Sequence, residues 1–129
     1  MLIRLGLAIK DKNLQRNLLQ KLSESDVRVE TFGPSRSVWQ QVVRSGCDVM
    51  VISEAYIIRP IDTGIEILND LPENPTTVII HDSDSSEEHA MLAAAGADVV
   101  LYAGISKKSM VEAIETALES RQQLILRRR

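Results

Sequence analysis

The chain has 129 residues, 44% of them hydrophobic, which is one domain's length with enough apolar side chains for a core. A formal charge of −3 gives no general electrostatic case for nucleic acid, and an aromatic content of 3% makes a base-stacking platform improbable. One cysteine, Cys47, excludes an internal disulfide and a cysteine zinc cluster.

No apolar run reaches the ~18 residues of a membrane span, and the start of the chain lacks a signal-peptide layout. A soluble protein of the reducing cytoplasm is expected.

In chain order, Leu2–Ile9 (LIRLGLAI) reads as a first strand, closed by Lys10-Asp11-Lys12. From Asn13 the period changes. Leu14, Leu18, Leu19 and Leu22 share one stripe of a helix running to about Ser25, with Asp11 or Asn13 able to cap it. Val27–Phe32 alternates and meets Gly33-Pro34, which predicts a second strand with one face partly solvated. Ser35 or Ser37 can cap the next helix, whose stripe is Val38, Trp39, Val42 and Val43, and Gly46 closes it.

Asp48–Glu54 (DVMVISE) organises the rest. Its unbroken apolar run predicts a strand covered on both faces, as in the middle of a parallel sheet. Ligands of such sheets bind beyond the carboxyl ends of the strands, where Ser53 and Glu54 would stand.

Ala55–Thr63 reads as irregular, Gly64–Leu71 as a third helix stopped by Pro72, and Asn74-Pro75 as a turn. Thr76–Ile80 is a fourth strand with His81 leaving its end as a loop histidine. Asp82–Ser86 is a capping run, with Asp82, Asp84, Glu87 and Glu88 read as solvated acids. Glu87–Ala95 is a helix ended by Gly96, and Asp98–Tyr102 is a fifth strand. Ser106 caps a last helix with Met110, Ile114, Ala117 and Leu118 on its inner stripe. Strand and helix alternate five times, which predicts one α/β domain: a parallel sheet with helices on both faces and right-handed crossovers.

Three stretches carry a resemblance. Val51–Glu54 (VISE) stands where response-regulator receiver domains run into their phosphoacceptor aspartate. Ile61–Leu68 (IDTGIEIL) is similar to that family's MDGLELL stretch. Ala93–Ser106 (AAAGADVVLYAGIS) is similar to its EAGADDYLLKPF run. The resemblance covers nearly the whole chain and implies a flavodoxin-like (CheY-like) doubly wound five-stranded sheet of order 2-1-3-4-5.

It also locates the family's chemistry, and every position departs from the pattern. The acceptor falls on Glu54, or on Ser53 in the other register. The acidic pair that would bind Mg²⁺ falls on Lys10 and Asp11, or one residue earlier. The switch hydroxyl becomes His81, the aromatic switch position Val100, and the Lys-Pro pair Ala103-Gly104. Phosphoryl transfer to a carboxylate needs a cation to neutralise phosphoryl oxygens and a lysine for developing charge. No catalytic residue and no cofactor are therefore expected. Mg²⁺ would find only Asp11 and Glu54 as candidates.

A Glu54–Lys10 ion pair is expected to fix one conformation, with Glu54 either a plain strand terminus or a mimic of the phosphorylated state. Ile57 and Ile58 either fold inward over the vacated pocket or meet a partner.

Residues 1–120 read as a receiver-like domain. Residues 121–129 read as an extension of the last helix, ending in Arg127-Arg128-Arg129, toward an output domain such as those of enhancer-binding transcriptional activators. The basic triplet is otherwise simply where the expressed piece stops. The expected role is a non-enzymatic signalling module that contacts a protein partner or a second copy, through Ser106–Arg129 or the fourth-helix, fifth-strand, fifth-helix face. No direct contact with nucleic acid or membrane is expected. Two other readings stay open: a phosphorylatable receiver with an unusual acceptor and Mg²⁺ site, and a small-ligand sensor with a pocket lined by Ile57, Ile58 and His81.

Overall fold

A computed structural model describes residues 3–23, 27–33, 35 and 37–127. Leu2, the expected helix end near Ser25, Pro34, Arg128 and Arg129 lie outside the described residues. The elements run β1 (Ile3–Ala8), α1 (Lys12–Leu22), β2 (Val27–Thr31), α2 (Val38–Arg44), β3 (Val49–Ser53), a single 3-10 turn (Glu54–Tyr56), α3 (Ile61–Asn69), β4 (Thr76–His81), α4 (Ser86–Ala94), β5 (Val99–Tyr102) and α5 (Lys107–Arg127). All sheet pairings are parallel, in the order β2-β1-β3-β4-β5. This is the doubly wound architecture that the alternation implied.

Strand residues point alternately to the two faces. Leu5, Leu7, Val49, Val51, Val78 and Ile80 pack against α1 and α5, with Leu18, Leu22, Met110, Ile114 and Leu118 opposite them. Ala8, Met50, Ile52, Ile79 and Val100 pack against α2, α3 and α4 through Val38, Val42, Ile65, Leu68 and Leu92. Every residue of β3 is buried, as its lack of alternation required.

Aspartates before two strands tie the amino edge together. Asp48 Oδ2 accepts from Arg4 N at 2.9 Å, and Asp98 Oδ2 accepts from Thr77 N at 2.8 Å. The C-terminal half of α5 is held at the same edge by Arg121, which is 5% exposed. Its guanidinium donates to the carbonyls of Asn74 at 2.6 Å and Glu73 at 2.7 Å, and lies 3.9 Å from Asp48.

Most boundaries shift by a residue or two, and two differences from the sequence reading bear on the site. α3 begins at Ile61, not Gly64. Pro60 is already set in an extended conformation at the N-cap, and Asp62 in the first turn complements the helix dipole. His81 belongs to β4 and is 2% exposed, so it is a buried strand residue and not a loop histidine.

Candidate functional site

The carboxyl ends of β1, β3, β4 and β5 converge on the edge where a parallel sheet binds its ligands. An open cavity of about 310 Å³ lies there, lined by Ile9, Lys10, Asp11, Leu14, Ser53, Ile80, Asp82 and Ala103. Four residues singled out from the sequence thus share one pocket: Lys10, Asp11, Ser53 and Ala103. Asp82 joins them, although its place in a polar capping run gave no such signal.

Ser53 closes β3 on the α1/α5 side of the sheet, opposite Ile80. It is 7% exposed, and its Oγ accepts from Lys10 N at 2.9 Å. The hydroxyl therefore ties the end of β3 to the turn after β1. Asp11 is likewise occupied: its Oδ1 accepts from Asn13 N at 2.9 Å and Leu14 N at 3.2 Å as the N-cap of α1. Lys10 is exposed and makes no ion pair among the described residues.

Glu54 turns away from this pocket. It opens the 3-10 turn, and its Oε1 meets Arg59 Nη1 at 3.4 Å. The expected Glu54–Lys10 pair does not form, because the 3-10 turn carries the chain back so that Arg59, five residues on, is the nearer cation. This half-exposed pair orients the carboxylate while contributing at most ~1 kcal/mol.

Ile57 and Ile58 part company, and neither lines the pocket. Ile57 is 2% exposed and enters the core beside α3, whereas Ile58 faces outward at 45%. Gly64 permits this fold-back, since a Cβ there would stand 2.5 Å from the Ile58 carbonyl oxygen and collide with Ile57 Cγ2.

The remaining singled-out residues lie on the other side of the sheet. Val100 is buried in the α2/α3/α4 core. His81, in the alternation after Ile80, faces α4, where its ring meets His89 edge-on with centroids 5.7 Å apart. Tyr102 lies beside it, at 6.2 Å. Neither ring nitrogen of His81 has a hydrogen-bond partner in the protein.

The sequence matches no protein-family model and no curated protein. Solved structures do match along nearly the whole chain. The signal receiver domain of a protein assigned as a Luxo repressor, from Vibrio parahaemolyticus, superposes with a TM-score of 0.80 at 14% identity, over 98% of this chain and 97% of that one. A CheY-like response regulator receiver domain protein from Methanospirillum hungatei gives 0.75 at 15% identity, over 95% and 98%. HP1043, an orphan response regulator of H. pylori, gives 0.73 at 18%, over 90% and 96%. At these identities the likeness establishes the fold: the chain has the receiver-domain architecture of response regulators.

Proposed function

We propose that this chain is a receiver-like signalling module that does not undergo the usual phosphotransfer and acts through protein contact. The observation that supports this most is the state of the two acceptor candidates. Ser53 is buried with its hydroxyl committed to the Lys10 backbone, and Glu54 points to Arg59 outside the pocket.

The rest of the pocket favours the same reading. Mg²⁺ takes oxygen ligands in near-octahedral geometry. Here a lysine stands in the acidic-pair position, Asp11 caps a helix, and no three His, Cys, Asp or Glu side chains gather as a metal group among the described residues. These side chains do not fit a receiver's Mg²⁺ site. Ala103, at the position of the charge-stabilising lysine, leaves an attacked phosphoryl group no cationic partner there.

The output is a protein contact made by α5 or by the α4, β5 and α5 face, with a second copy or with a transcription-controlling domain of the same protein. Leu124 and Leu126, 40% and 58% exposed near the end of α5, support that placement. So does a structural neighbour, NtrX from Brucella abortus, in which the matched part is 28% of a longer chain. Among the described residues no helix is long and apolar enough to cross a membrane, which agrees with work in the cytoplasm.

Beryllofluoride with Mg²⁺, a stand-in for a phosphoryl group, tests the reading in an amide NMR spectrum. Unchanged resonances at Lys10, Ser53, Glu54 and Asp82 are expected. Saturable shifts at these four residues would restore a working phosphoacceptor site.

A further inference from the structure

The chain holds two histidines, and they converge from different elements: His81 from the last position of β4 and His89 from the first half of α4. Their ring centroids are 5.7 Å apart, with the planes at 71°. His81 is 2% exposed and neither ring nitrogen has a partner, whereas His89 is exposed above it. Buried polar side-chain atoms ordinarily have a partner, and leaving one unpaired is unfavourable. Something other than a protein group is suited to satisfy this ring.

Imidazole is the commonest protein ligand of the borderline divalent metals. Two imidazoles on one tetrahedral ion, each bonded at about 2.0–2.1 Å, have centroids roughly 5–6 Å apart. The observed separation falls in that range, and the rings meet edge-on. Rotating either ring about its outer bond exchanges its nitrogen and carbon positions with little displacement of the ring.

We propose that His81 and His89 form a two-histidine site for Zn²⁺, Ni²⁺ or Cu²⁺, which staples α4 to the carboxyl edge of the sheet. No third His, Cys, Asp or Glu completes the group among the described residues, so water fills the remaining positions beside Tyr102. Asp82, Asp84, Glu87 and Glu88 are exposed on the stretch of chain that joins the two histidines, and their negative charge favours a cation. Mg²⁺ and Ca²⁺, which prefer oxygen, are not ligands of this pair. The bridge has a mechanical consequence, because Leu92 is the only buried side chain of α4. The proposal does not rest on the signalling role above.

The test is calorimetric titration of the full chain with Zn²⁺ and with Ni²⁺, beside His89→Gln, while NMR follows the imidazole resonances. One ion per chain, at least tenfold weaker binding in His89→Gln, and shifts of both imidazoles on adding Zn²⁺ are expected. His89→Gln changes an exposed side chain and leaves the core intact, so an effect on binding is not an effect of unfolding. Absence of binding, equal affinity in the variant, or shifts confined to His89 would each overturn the proposal.

Discussion

Ser53 ties the end of β3 to the turn after β1 through one hydrogen bond, accepted by its Oγ from the Lys10 amide. Ser53→Ala leaves the Lys10 amide without that acceptor and lowers stability by about 1 kcal/mol, measurable by urea denaturation. Gly64 gives a prediction whose sign discriminates. Glycine inside a helix ordinarily costs about 1 kcal/mol relative to alanine. Here the added Cβ meets the Ile58 carbonyl at 2.5 Å, so Gly64→Ala destabilises by about 1–3 kcal/mol. A stabilised variant would show that residues 54–60 do not lie against α3.

Cys47 is 3% exposed, and burial pushes its thiol pKa up. The folded state therefore binds this proton more tightly than the unfolded chain. Its contribution to stability is complete below the ordinary thiol range and declines as pH rises through it. Iodoacetamide at neutral pH should label Cys47 slowly in the native protein and rapidly in urea; equal rates would contradict its burial.

Among the elements, α5 carries the most information about how the module is used. Residues 121–129 read from the sequence as an extension of the last helix beyond the domain. The structure buries Arg121 at the α3–β4 turn and leaves Leu124 outside. A buried arginine on an apolar stripe is not legible from periodicity, because its partners are two backbone carbonyls 47 and 48 residues away. Arg121→Met lowers stability by about 2–4 kcal/mol by removing both charge-assisted bonds. Arg127→Ala, at the exposed end of the same helix, stays within ~0.5 kcal/mol. Urea midpoints measured side by side decide it, and equal midpoints would remove the clamp from the account.

At the scale of the whole molecule, the architecture was legible because apolar runs and periodic stripes report burial directly. The five strands, five helices and their order follow from that pattern and from the resemblance of Val51–Glu54, Ile61–Leu68 and Ala93–Ser106. The site was legible as a set of positions and much less as a geometry. Which side of the sheet Ser53, Glu54 and His81 face depends on where β3 and β4 end, within one residue. One residue more or less in a strand decides whether a side chain keeps the sheet's alternation or leaves it in a turn. That is why His81 read as a loop residue and Glu54 as a partner for Lys10, while Arg59 and His89 gave no signal.

The central claim, that the receiver fold is kept while its phosphotransfer chemistry is absent, is tested most directly by intact mass after incubation with acetyl phosphate and Mg²⁺. The account predicts an unmodified chain. A phosphoryl adduct that maps to Ser53, Glu54 or Asp11 would contradict it.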